Sequence, residues 1–246
     1  MSGIDYFTIV ERFHTFQNPT SEQKLDRLIK YLNVSDGARV LDVGCGKAWL
    51  LRRMSASYRI DSVGIEVRRS FLDEGKALAE QSPGLGKITL LHLPAAEYSA
   101  PAGTFDIALC IGASFAIGSF EDMIRWLKPF AKPGGYLAIA DIYIKSRTFP
   151  SEVVQCFSGG AVRNLIDTVE WLEASGLSLV GLIESSTYEW DAYESLHWQA
   201  VDTWLRENLD HPERASFHAR SQEDKREYLT AHRDALGWAI FVCRVW

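Results

Sequence analysis

The chain has 246 residues, 47% of them apolar and 12% aromatic, and a net charge of −6, which suits one larger α/β domain with a full core. The acidic balance and the lack of any basic run speak against a nucleic-acid partner, and no run of about eighteen uncharged apolar residues exists to span a membrane. Residues 1–10 lack the basic-then-apolar layout of a secretion leader, and four scattered cysteines with no C-x-x-C pair read as a reduced, cytoplasmic chain without structural zinc.

Residues 1–19 carry aromatics (Tyr6, Phe7, Phe13, Phe16) without a clear period. Asn18-Pro19 marks a turn, and Thr20-x-x-Gln23 reads as a capping box opening a helix with Leu25, Leu28, Ile29 and Leu32 at helical spacing. A buried strand over 38–43 follows. It ends at Asp42-Val43, and Gly44-Cys45-Gly46 then turns into a helix reaching about residue 56. A turn of bare backbone at the C-terminal end of a buried parallel strand is where open α/β sheets bind ligands. The second strand, 60–66, also ends in an acid, Glu66. A carboxylate there can accept from both hydroxyls of a ribose, so a nucleoside is the expected ligand. Trp49 stands where a dinucleotide fingerprint places its third glycine, which argues against NAD or FAD. A helix over 67–81, a Pro83-Gly84-Leu85-Gly86 turn and a strand over 87–93 continue the alternation, which implies right-handed crossovers and a parallel sheet. Further on, the pattern gives a strand from Phe105, a helix over 120–127, a strand over 136–141, a helix over 165–174 and a strand over 177–186. A long aromatic and acidic helix reaching Leu209 comes next, then a charged, mostly solvated helix pair over 210–235, and a last apolar strand over 236–245.

Leu41-Asp42-Val43-Gly44-Cys45-Gly46 resembles motif I of the class I S-adenosylmethionine-dependent methyltransferases. That pattern is acid-x-Gly-x-Gly-x-Gly, and the chain departs from it at Ala48, whose methyl group fits if the backbone keeps a negative φ. Phe105–Ser114 resembles motif IV, and Leu127-Lys128-Pro129 with Lys132-Pro133-Gly134-Gly135 resembles the segment that follows it, so the likeness covers residues 36–145. The resemblance implies an α/β fold with a doubly wound, mostly parallel seven-stranded, Rossmann-like sheet. Its last strand would insert antiparallel beside the sixth, with helical lid insertions. It implies S-adenosyl-L-methionine as cofactor, with Asp42, Gly44, Cys45 and Gly46 at the turn, Glu66 on the ribose diol and Val67 on the adenine. Ile111 and Gly112 would border the transferring methyl. Pro94 occupies the place of the acid that relatives use for the adenine amino group, leaving the Ala95 and Ala96 backbone, or Glu97, for that contact; Glu97 reads equally well as a solvated helix-start acid. Ile-Gly-Ala-Ser after the fourth strand is unlike the Asn/Asp-Pro-Pro-Tyr/Phe of DNA-base methylating enzymes. Residues 190–238, with Phe7-Thr8-Ile9, His14 and Asn18-Pro19, are similar to a bacterial small-molecule branch that has no single substrate.

The expected reaction is in-line transfer of the sulfonium methyl to a small-molecule acceptor; the alternative is a non-catalytic S-adenosylmethionine-binding sensor or assembly protein. Candidates for the base are Asp141, Glu194, His197 and His14, in falling order, and Tyr143 is a candidate for positioning the nucleophile. Each has a structural alternative: a capping acid for Asp141, a half-buried tyrosine, a surface i,i+3 pair for Glu194 and His197, and solvated groups for His14, Arg12 and Lys24. No metal is expected, and a metalloid site at Cys45, Cys110 and Cys156 is disfavoured. The layout is one domain over 1–246: an N-terminal lid (1–35), a cofactor core (36–145), the sixth strand with lid and substrate helices (146–235), and the terminal strand (236–246).

Overall fold

Val40, Leu41 and Val43 sit in a short apolar run that forms β1 (Arg39–Val43), buried at the middle of a sheet. Side chains alternate across a strand, so Val40 enters the apolar layer on one face and Leu41 and Val43 the layer on the other. The computed structural model describes residues 5–145 and 162–246. β2 (Asp61–Glu66), β3 (Lys87–His92), β4 (Phe105–Ile111), β5 (Ala131–Ile144), β6 (Leu177–Glu184) and β7 (Leu236–Val245) complete a seven-stranded sheet of order β3-β2-β1-β4-β5-β7-β6. β1 pairs in parallel with both β2 and β4, and β7 runs antiparallel between β5 and β6, as the resemblance implied. The chain leaves β1 towards one edge and returns at β4 on the other side. That reversal opens a crevice above β1 and β4, the ligand position of doubly wound sheets.

The helices are α1 (Tyr6–Val10), α2 (Glu22–Tyr31), α3 (Trp49–Ser55), α4 (Arg69–Gln81), α5 (Phe120–Leu127), α6 (Leu165–Ala174), α7 (Thr187–Glu207) and α8 (Arg214–Glu227). A separate apolar cluster of Tyr6, Ile9, Val10, Val201, Trp204, Leu205 and Phe217 ties α1 to α7 and α8, which anchors the N-terminal segment beside the crevice. α7 starts in a capping box: Ser186 Oγ accepts from Glu189 N at 3.2 Å, and Glu189 Oε2 accepts from Ser186 N at 2.7 Å. Replacing Ser186 with Ala is expected to cost about 1 kcal/mol in urea unfolding, because one donor at the helix start loses its acceptor.

Three local expectations change. The capping box at Thr20 does not form; α2 begins after Ser21, whose hydroxyl engages Glu189 instead of the helix backbone. β5 begins at Ala131, so the Lys-Pro-Gly-Gly run lies inside the strand across a register shift in its pairing with β4. Residues 210–235 are mostly exposed, as expected, but they form one long helix, α8, and not a pair. After α8 a π-turn (Tyr228–His232) buries Tyr228, whose hydroxyl donates to Asp191 at 2.7 Å, while Arg233 grips the same carboxylate at 2.8 and 2.9 Å. The insertion expected around Pro150, Cys156 and Gly159-Gly160 lies outside the described residues. Among the described residues no helix is long and apolar enough to cross a membrane.

Candidate active site

The turn after β1 is held from below: Gly44 N and Cys45 N donate to the Ile65 carbonyl at 2.9 and 3.0 Å. Gly44 and Gly46 both have positive φ, +69° and +54°. A Cβ on Gly44 would stand 2.3 Å from the Ala113 Cβ, and one on Gly46 would stand 2.2 Å from Gln17 Oε1. Bare backbone is therefore required at Gly44, and at Gly46 a side chain would have to displace Gln17 as well as bear the left-handed conformation. Ala48 also adopts a left-handed conformation (φ +56°), contrary to the negative φ expected for it. The fold tolerates a strain of about 1–2 kcal/mol there, with Ala48 N donating to Cys45 O at 2.8 Å as the next helix begins.

Glu66 closes the other side. Its Oε2 accepts from Gly46 N at 3.0 Å and its Oε1 from Arg68 N at 2.7 Å, which fixes the carboxylate at the end of β2. A carboxylate offers about four acceptor sites, so each oxygen keeps one for a ligand hydroxyl. Between these elements lies a cavity of about 480 Å³. Asp42, Gly44, Cys45, Gly46, Glu66, Val67, Ala95, Ile111 and Gly112 line it. Ala96 and Glu97 do not; both point to solvent, so Ala95 with Leu93 forms that wall. The N-terminal segment also contributes Phe7, Glu11, Phe16, Gln17 and Asn18 to the lining, and α7 contributes Tyr193. The Asn18 side chain abuts Gly112, where a Cβ would meet Asn18 Oδ1 at 2.0 Å.

The cavity is apolar with three acids, Asp42, Glu66 and Glu11, a combination suited to a cation that carries hydroxyls. Burial, reinforced by the charge of Glu66, pushes the Asp42 carboxyl up to about 7. The Cys45 thiol is driven up by burial and by the same two acids, and Cys110 by burial, so neither supplies a thiolate at neutral pH.

The catalytic candidates separate into two groups. Asp141 accepts from Ser114 Oγ and from Ile142 N (2.7 Å); burial raises its carboxyl, and it does not line the cavity. Tyr143 is 3% exposed, donates its hydroxyl to Glu184, and packs its ring over Gly237 on β7, so it cannot position a nucleophile in the crevice. Tyr143→Phe is expected to cost about 1 kcal/mol of stability in urea unfolding and to leave cofactor affinity unchanged in calorimetry.

His14, Glu194 and His197 do come together, around Glu11. His197 Nε2 lies 3.0 Å from Glu11 Oε1, and its Nδ1 lies 3.4 Å from Glu194 Oε2. Tyr193 Oη donates to Glu11 Oε1 at 2.6 Å, and His14 Nε2 lies 3.0 Å from the Tyr193 carbonyl. His14 Nδ1 stands 3.2 Å from Glu11 Oε2. This is an interior cluster, not a surface pair: His14 is 3% exposed and Glu11 7%. Burial works against charge on His197, yet Glu11 and Glu194 hold its imidazole up at about 9. Burial lowers His14, and His197 keeps the Glu11 carboxyl below its usual range despite burial. Glu11 was missed because it is a lone acid in a stretch without period. Arg12 and Lys24 face elsewhere, paired with Glu207 (3.1 Å) and Glu189.

Residues 40–135 match the family described as a methyltransferase domain, a span that holds the glycine turn, Glu66 and the end of β4. The structure superposes on an S-adenosylmethionine-dependent methyltransferase from Geobacter sulfurreducens, solved with S-adenosyl-L-homocysteine, at a TM-score of 0.90 and 26% identity over 99% of each chain. The chain belongs to the class I S-adenosylmethionine-dependent methyltransferase superfamily. It is therefore an enzyme, and S-adenosylmethionine is its cofactor. The methyltransferase is also 28% identical to YjhP of Escherichia coli K12, over 96% of both chains. It is 27% identical to the tRNA U34 carboxymethyltransferase of Hydrogenovibrio crunogenus over 76% of this chain, spanning 60% of that protein. The residues fit the cofactor: the turn leaves no room for a Cβ at Gly44, Glu66 keeps acceptor sites for a diol, and buried Asp42 lacks a cation.

Proposed function

We propose that the methyltransferase transfers the methyl group to a small-molecule acceptor that enters beside the N-terminal segment and α7. The observation that supports this reading is the cavity wall, to which Phe7, Glu11, Phe16, Gln17, Asn18 and Tyr193 all contribute. A polymer would have to present its atom through this segment, which is pinned to α7 and α8 by the Tyr6 cluster. The net charge of −6, with no basic run, also disfavours an RNA backbone. The chain acts as one catalytic unit over 1–246 and works in the cytoplasm in this reading.

S-adenosylmethionine, when bound, supplies a methyl group on a cationic sulfur. The Gly44–Gly46 turn and Asp42 hold its amino-acid part, Glu66 the ribose and Val67 with Leu93 and Ala95 the adenine. Ile111 and Gly112 shape the space beside the methyl group and help to keep water out. The enzyme's contribution is alignment, with Glu11 and Tyr193 lining the side of the cavity that receives the acceptor. Asp141 is left as a support for the Ser114 turn. The test is incubation with methyl-tritiated cofactor and a bacterial extract, followed by separation of dialysable solutes from RNA and protein. The proposal expects label in the dialysable fraction; label confined to tRNA overturns it.

A further inference from the structure

The Glu11–His14–His197 cluster holds two buried polar atoms without a hydrogen-bond partner, Glu11 Oε2 and His14 Nδ1. They face each other at 3.2 Å. The other ring nitrogen of His14 lies against the Tyr193 carbonyl, which can only accept, so Nε2 carries the proton there. In the neutral ring Nδ1 is then a lone pair directed at a carboxylate oxygen. Two acceptors at this distance call for a positive centre between them. Its third neighbour is at hand: one ligand atom each from Glu11, His14 and His197 lie within 4.8 Å of one another.

We propose that Glu11, His14 and His197 bind a divalent transition-metal ion at the cavity wall. Two imidazole nitrogens and one carboxylate are a donor set for zinc, iron(II), cobalt(II) or manganese(II). Bonds of about 2.0–2.1 Å to a tetrahedral centre place donors about 3.3 Å apart, close to the observed His14–Glu11 spacing. The outer shell is already built. Metal-binding histidines direct their second nitrogen at a carboxylate or a backbone carbonyl, as His197 does towards Glu194 and His14 towards Tyr193. Tyr193 Oη, donating to Glu11 Oε1, orients the carboxylate in the same way. On binding, the ion takes the place of the proton that His197 Nε2 directs at Glu11, and that proton leaves to solvent. Because Glu11 and Tyr193 also line the cavity, an open coordination position would face the acceptor side.

The full chain, stripped with a chelator and dialysed, is titrated with cobalt(II) while the visible absorption of the metal is followed, and with zinc while the unfolding temperature is followed. The proposal expects one cobalt ion per chain and a rise in unfolding temperature with zinc. Cobalt affinity should fall by about tenfold in Glu194→Gln, which disturbs only the orientation of His197, and by more in His14→Gln and His197→Gln. The His197 variant serves if loss of the more deeply buried His14 ring prevents folding. Absence of stoichiometric binding by the native chain, or equal binding in the native chain and both histidine variants, overturns the site. The readouts need no acceptor and no turnover.

Discussion

Glu66→Ala is expected to weaken binding of S-adenosylmethionine by about 3–5 kcal/mol, a hundredfold loss or more. Two charge-assisted hydrogen bonds to a ribose diol disappear together, each worth about 1.5–3 kcal/mol. The carboxylate also accepts from Gly46 N and Arg68 N, so removing it frees two backbone donors at the mouth of the cavity. Those donors can reach water or ligand in the variant, which keeps the structural cost below the binding cost. Calorimetry of the cofactor, with urea unfolding of the same samples, separates the two effects. Unchanged affinity would mean that Glu66 serves the turn alone.

Asp42→Asn is expected to stabilise the cofactor-free protein at pH 8 while weakening cofactor binding. The carboxyl titrates near 7 in the folded chain against 3.8 for the ordinary group, so the folded state holds its proton more tightly than the unfolded state. Stability from this group is therefore full below about pH 4 and falls as pH rises to about 7. Above that, the ionised buried carboxylate costs on the order of 4 kcal/mol. Asparagine removes the cost at pH 8 and changes little at pH 4. The negative groups and thiols facing Asp42 are Glu66, Cys45 and Cys110, all of which disfavour the ionised form or are disfavoured by it. A cationic ligand reverses that balance. Cofactor affinity of the native protein should then rise with pH up to about 7, by at most about tenfold per pH unit, with proton release visible as a buffer-dependent heat. The variant should show a flat profile, and a flat native profile would remove Asp42 from the site.

The cofactor half of the site was legible because its chemistry is local in sequence. Asp42, Gly44 and Gly46 stand together, and Glu66 ends the next apolar run; backbone that must be bare and acids at strand ends leave marks that survive translation into structure. Glu97 takes the solvated alternative and Ala96 is exposed beside it, because only the first residue of that short turn, Ala95, faces inward. Tyr143 failed for a different reason. β5 runs to Ile144 instead of ending near Asp141, so Tyr143 is locked opposite Gly237 in the ladder with β7 and never reaches the crevice. The acceptor side is assembled from residues nearly two hundred positions apart, Glu11 and His14 with Tyr193 and His197, and no periodicity announces such a meeting. His14 and His197 were legible as reactive residue types, whereas Glu11, which joins them, was not.

The central claim, that the crevice above β1 and β4 holds the sulfur nucleoside, is tested most directly by calorimetric titration of the full chain. S-adenosylmethionine and S-adenosyl-L-homocysteine are the ligands, with NADH as a control. The account predicts micromolar, one-to-one binding of both sulfur nucleosides and no heat from NADH, since Trp49 stands where the dinucleotide turn requires glycine. Binding of NADH, or silence from both sulfur nucleosides, would contradict it.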